Sequence, residues 1–285
     1  MDTPSTSTPL KSTSVVLQGK GNTNNPILFL LPDGSGAAGS FRDLPTLHPS
    51  LAVIALNSPF QRRPSDFNVP LPTIAASFVR EILRHQPPGQ RPYFLGGWSI
   101  GGNYAFEAAS QLVAMGETVA GLILIDSPCA ATYPPLPDPA FDFYERIGIF
   151  KNGRLTLKLK KHFSGSMHSL KDYKPNSLDL FSNGMSPICV TIWAKEGFWV
   201  TVGPEEEAKY RPELEGMESN KCRDWMLNPR ESFHGDGWDT LLPMVDVKVV
   251  DGNHFSIMKP PNVEGVADAM KPVIERVLDF LRANE

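Results

Sequence analysis

Ser99 stands between two glycines in Gly97-Trp98-Ser99-Ile100-Gly101. An apolar run, Tyr93-Phe94-Leu95, precedes it, and small residues at helical spacing (Ala105, Ala108, Ala109) follow. This is the pattern of a nucleophile raised on a sharp strand-to-helix turn. The glycines answer crowding, because side chains two residues either side of so tight a turn would collide. The same turn aims the Ile100 N–H at the oxygen of an attacked carbonyl, so the chemistry indicated is acyl transfer. Serine needs a base to take its proton, and the base needs an acid to orient it. Six histidines are available. His48 and His85 lie among prolines or near a helix end and read as surface. His162 follows Lys158-Leu-Lys-Lys161 and reads as solvated, and His168 and His234 fall in irregular stretches. His254 sits in a loop just after a strand expected to be buried near the C-terminus, where the order serine, acid, histidine places the base. The acid is Asp126 or Glu196, each ending an apolar strand. Asp126 is favoured because it emerges directly from its strand. Asp251 is too near His254 in sequence to turn back on it and reads as a turn residue.

These residues need a scaffold that brings strand ends together. Residues 1–13 are rich in Ser, Thr and Pro and read as a flexible tail or linker. Strands are predicted at 14–18, 26–31, 51–56, 119–126, 188–194 and 245–250, besides the one entering the serine turn. The uniformly apolar runs among them suit strands buried on both faces. Helices are predicted at 72–84, from the serine to about 115, and at the C-terminus, where apolar residues recur at 263, 266, 267, 270, 274, 277, 278 and 281. Alternation of strand and helix predicts an α/β fold with a mostly parallel sheet. The alternation breaks twice, at about 129–186 and 198–240. Tyr133-Pro-Pro-Leu-Pro-Asp-Pro139 is too proline-dense for regular structure, and the later block is rich in Trp, Met and Phe. Residues 14–285 thus read as one domain with two lid blocks on the catalytic face, suited to covering a large apolar substrate.

Gly34-Ser-Gly36-Ala-Ala-Gly39 fits the spacing of a dinucleotide fingerprint. Pro32-Asp33 separates it from the strand, however, and the next strand ends at Asn57-Ser58-Pro59 without a carboxylate for a ribose. The better reading is that Gly34 or Ser35 supplies a second N–H for the oxyanion.

At 285 residues and 41% hydrophobic content the chain can bury a sizeable core. A net charge of -4 argues against a nucleic-acid binder. Cys129, Cys189 and Cys222 are too few and scattered for a disulfide framework or metal knuckle, which points to a cytoplasmic setting. No secretory signal or membrane-length apolar run is present. No cofactor or metal site is expected.

The stretches 13–18, Leu28-Phe-Leu-Leu-Pro-Asp-Gly-Ser-Gly36, Gly96-Gly-Trp-Ser-Ile-Gly-Gly102, Leu124-Ile-Asp126 and Gly252-Asn-His-Phe-Ser256 resemble the thioesterase/Claisen-cyclase domain of fungal non-reducing iterative polyketide synthases. More broadly they resemble type I thioesterases of polyketide and nonribosomal peptide synthases. The resemblance implies an α/β-hydrolase fold and supports Asp126 over Glu196 as the acid. It also implies a substrate presented as a thioester on the phosphopantetheine of an acyl carrier protein, released by cyclisation (Claisen or lactone) or by hydrolysis. The basic run Lys151–Lys161 would then steer an acidic carrier protein, unless it is only a solvated face. The competing readings are a stand-alone esterase, a dinucleotide-binding oxidoreductase built on the Gly34 loop, and a non-catalytic binding module.

Overall fold

The computed structural model describes residues 9–20, 25–150, 156–177 and 187–283. Parts of the predicted tail (1–8), of the first lid block (151–155 and 178–186) and the N-terminal half of the basic run lie outside the described residues. Seven strands form one sheet in the order β1-β3-β2-β4-β5-β6-β7. They are β1 (Thr13–Gln18), β2 (Ile27–Leu31), β3 (Ala52–Asn57), β4 (Tyr93–Trp98), β5 (Val119–Ile125), β6 (Ile188–Ala194) and β7 (Val245–Val250). β1 pairs antiparallel to β3, and every other pairing is parallel. Every residue of β2 and β5 is buried, as strands flanked by neighbours and covered on both faces must be. The edge strands β1 and β7 instead show mixed exposure.

The helices are α1 (Leu71–His85), α2 (Ile100–Ala114), α3 (Asp138–Arg146), α4 (Leu157–Leu170), α5 (Phe198–Val202), α6 (Pro204–Glu215), α7 (Lys221–Leu227) and α8 (Asn262–Ala283). α1 and α2 cover one face of the sheet, where Phe78 and Tyr104 pack with Phe29 and Leu95. α8 covers the other, its buried Val263, Val266, Met270, Ile274 and Val277 meeting Leu28, Val53, Ile123 and Val190. Burying a stripe of this kind on each face stabilises the sheet by roughly 2 kcal/mol per large apolar side chain. The result is the α/β-hydrolase arrangement in which successive parallel strands deliver their C-terminal ends to one edge.

The block between β5 and β6 holds α3 and α4, and the block between β6 and β7 holds α5, α6 and α7. The proline-dense stretch is regular at its end, which corrects the expectation above: α3 starts at Asp138 with Pro139 in its first turn. There the missing N–H would have had no intrahelical acceptor in any case. His162 is a second correction. It lies on the buried face of α4 at 2% exposure, with Gly165, Ser166 and Ser169, while the lysines before it point outward. A run of lysines sets the character of a helix's outer face, not of every residue in the turn.

Candidate active site

The turn between β4 and α2 places Ser99 at φ 58° and ψ -131°, a backbone region costly for a residue with a side chain. The surrounding glycines make that turn possible. A Cβ on Gly97 would lie 2.2 Å from the Gly101 backbone, and one on Gly101 would lie 2.5 Å from the Leu31 carbonyl. The ladder holds the turn from below, with Ser99 N–H donating to Ile125 O at 3.0 Å.

Asp126 follows β5 directly and is also left-handed, at φ 41°. Its N–H donates to Ile192 O at 2.7 Å, fixing it at the same sheet edge. His254 sits four residues beyond β7, in a turn organised by Asn253, whose side-chain oxygen accepts the N–H groups of Phe255 and Ser256. His254 Nδ1 donates to Asp126 Oδ2 at 2.8 Å, and Ser99 Oγ donates to His254 Nε2 at 3.1 Å. Asp126 is fully buried and His254 is 4% exposed. Among the described residues no hydrogen bond or ion pair joins Glu196 to the histidine; its backbone N–H bonds Gly252 O, and the residue is half-buried. Asp251 reaches outward towards Lys195.

Burial alone would raise the Asp126 carboxyl. The Arg230 guanidinium and the His254 ring outweigh it, and the net shift is downward. Arg230 Nη1 donates to Asp126 Oδ1 at 2.8 Å and Nη2 to Oδ2 at 3.2 Å. Arg230 escaped sequence reasoning because nothing in Asn228-Pro229-Arg230 is periodic or motif-like.

The loop after β2 covers the serine. Ile100 opens α2, so its N–H has no intrahelical acceptor. Gly34 lines the same cavity as Ser99. The Asp33 carboxyl accepts Ser35 Oγ at 2.6 Å and Ser40 Oγ at 2.8 Å. Of the two expected loop donors, Gly34 lines the cavity and Ser35 does not. The Gly34–Gly39 loop leads into a 3₁₀ turn, Ala38–Phe41, whose Ala38 N–H bonds the side chain of Asn57. Asn57 therefore closes this loop. From α4, His162 Nδ1 donates to Gly34 O at 2.8 Å. The missed signal for His162 was the stripe His162, Gly165, Ser166, Ser169, whose spacing lets α4 approach the loop closely.

Above Ser99 lies a cavity of about 360 Å³ lined by Trp98, Phe141, Tyr144, Phe163, Met226 and Phe255, among others. Trp98, Trp225 and Phe255 pack around the His254 ring at 5.8, 5.6 and 5.2 Å between centroids. A serine, an imidazole and a carboxylate in hydrogen-bonded series at the wall of one cavity can perform acyl transfer.

The thioesterase domain model matches residues 26–273. The chain belongs to the thioesterase family. It is an enzyme of the hydrolase/cyclase type. It is 43% identical over 276 residues to a non-reducing polyketide synthase of Pseudevernia furfuracea, covering 92% of this chain and 13% of that protein. It is 36% identical over 267 residues to a non-reducing polyketide synthase of Aspergillus terreus, covering 92% of this chain and 12% of that protein. The chain thus spans about one eighth of the length of these relatives. Among solved structures it resembles the NocB thioesterase domain, at 21% identity and a TM-score of 0.64 over 93% of this chain and 99% of that one. It also resembles the type II thioesterase YbtT, at 17% identity and a TM-score of 0.62 over 94% of this chain and 99% of that one. Among the described residues no helix is long and apolar enough to cross a membrane.

Proposed function

We propose that this thioesterase releases a polyketide from an acyl-carrier-protein thioester through an acyl-enzyme on Ser99. The observation that carries the reading is the series Ser99, His254, Asp126 beneath an aromatic cavity. His254 Nε2 takes the Ser99 proton as Oγ attacks the thioester carbonyl. The N–H groups of Ile100 and Gly34 hold the oxyanion. Collapse of the tetrahedral adduct expels the pantetheine sulfur, which receives the proton from His254. The acyl-enzyme is then resolved by water to an acid, by a substrate hydroxyl to a lactone or ester, or by a substrate carbon to a ring. The carbon route needs His254 as base toward an acidic C–H and a pocket that keeps water away. The blocks 129–186 and 198–240 act as the lid, since α3, α4 and α7 supply much of the cavity wall.

Carrier docking uses less of the basic run than its composition implies. Lys160 is paired with Asp142 and Glu145, and Lys161 donates to Ser65 Oγ. Lys158 is exposed on the outer face of α4, where an acidic carrier could meet it.

A serine-directed fluorophosphonate tests the nucleophile. Labelling that disappears in Ser99→Ala is the expected result; labelling that survives the substitution sinks the mechanism. Mass spectrometry of products from a carrier-bound poly-β-keto substrate then identifies the route. Turnover of free acyl esters with no preference for the carrier-bound thioester would favour a stand-alone esterase.

A further inference from the structure

Arg230 lies three residues beyond α7, in the block between β6 and β7, yet its guanidinium meets the acid of the site. The contact is a two-pronged fork onto both carboxylate oxygens, the geometry that fixes a carboxylate's plane as well as its charge. The pair is buried, with side-chain exposures of 7% and 0%. The fork is itself held. The guanidinium sits 3.7 Å from the Trp225 ring centroid and 5.7 Å from that of Trp193. Asp126 in turn has its lone pairs fully used, since Ala194 N–H donates to Oδ1 and His254 N–H to Oδ2 beside the two guanidinium bonds. Burying such an ion pair costs desolvation of both partners and leaves Arg230 Nε without an acceptor among the described residues. Stability alone is therefore a weak reason for it.

We infer that Arg230 is a positioning residue of the reaction: it aims the Asp126 carboxylate at His254 and makes that aim depend on the β6–β7 block being folded over the cavity. The inference rests on the reading of Ser99, His254 and Asp126 as the reacting series. The surroundings support it. Around Asp126 the other titratable groups are His254 and Cys222, whose thiol burial pushes up to about 12, so it stays uncharged. Asp33 lines the same cavity as His254 and is pushed upward by burial. Asp236 and Tyr133 are within electrostatic reach of Arg230, and burial raises both. Arg230 thus supplies the permanent positive charge that keeps a buried carboxylate ionised. α7 joins the parts, because Trp225 touches both the guanidinium and the His254 ring while Met226 lines the cavity.

The test is the rate of fluorophosphonate labelling against pH for wild type, Arg230→Gln, Arg230→Lys, Asp126→Asn and the Asp126→Asn/Arg230→Gln double variant, each checked by circular dichroism. Arg230→Gln is expected to label on the order of 100-fold more slowly, the loss that follows a misplacement of about 1 Å. Its acid limb moves to higher pH, because desolvation of Asp126 is no longer opposed by the guanidinium. Arg230→Lys keeps the wild-type acid limb and loses only about tenfold, since a point charge cannot reproduce the fork. In the Asp126→Asn background, Arg230→Gln costs less than about twofold, as coupled residues require. An unmoved acid limb in Arg230→Gln, or equal costs in both backgrounds, overturns the inference. Should Arg230→Gln not fold, Arg230→Lys decides it: a wild-type rate overturns it, and a tenfold loss at an unchanged acid limb supports it. Labelling that persists in Ser99→Ala fails the underlying reading instead, and is seen independently of Arg230.

Discussion

Replacing Gly34 by alanine asks whether the loop after β2 positions an oxyanion donor. A Cβ at Gly34 would lie 2.6 Å from Phe163 Cδ1 and 2.7 Å from Cε1. Ordinary carbon contacts are about 3.5–4.0 Å, so roughly 1 Å must be found. The ring stacks on Phe141 at 5.6 Å and packs against Phe150 at 6.1 Å, contacts that resist its displacement from the loop. His162, the neighbouring residue, meanwhile grips the Gly34 carbonyl. The loop therefore shifts, and with it the Gly34 N–H. Overpacking of this size destabilises by about 1–3 kcal/mol. Displacing or losing one oxyanion donor lowers kcat by about 10²–10³-fold. Gly34→Ala is thus expected to lose kcat on a small acyl thioester by about 10²-fold, with KM changed far less. Adding Phe163→Ala removes the obstructing ring and should recover most of the loss. Steady-state kinetics of the two variants decide it. Wild-type kcat in Gly34→Ala, or a double variant no faster than the single, would refute both the donor assignment and the role of α4 beneath it.

Two buried groups on either side of Gly34 give opposite pH signatures. Burial raises the Asp33 carboxyl, its hydroxyl and N–H partners only partly offsetting this. The folded state then holds that proton more tightly than the unfolded state. The contribution is fully present below the ordinary carboxylate value of about 3.9 and is lost as pH rises through the raised folded value. Thermal melts of Asp33→Asn should lack that decline, and a melt series parallel to wild type would refute it. Burial lowers the His162 ring, with its bond to Gly34 O acting against this. Its contribution is present above the unfolded value of about 6.5 and is lost as pH falls through the depressed folded value. His162→Gln should flatten that acid-side loss while keeping a donor for Gly34 O and activity within a few-fold. His162→Leu should cost about tenfold in kcat, and equal kcat in the two variants would remove His162 from loop positioning.

Much of this protein could be read locally. The apolar runs of β2, β4 and β5 announced buried strands, and the glycines around Ser99 announced a turn that no bulkier residue fits. The recurrence of Val263, Val266, Met270, Ile274 and Val277 announced α8. Asp126 was legible because it follows such a strand and His254 because it follows the last strand, the edge strand β7, and a parallel sheet carries strand ends to one edge. These are consequences of backbone periodicity and short-range crowding, which a chain carries in consecutive residues. The grip of His162 on Gly34 and of Arg230 on Asp126 was not legible. Those pairs are 128 and 104 residues apart. His162 looked solvated because lysines precede it, and Arg230 stood in a stretch with no pattern. Only the packing of α4 and α7 over the sheet edge selected these partners. A buried polar group must find some complement, and the sequence does not say which; that choice falls to whichever loop and helix the folded chain brings within hydrogen-bonding distance.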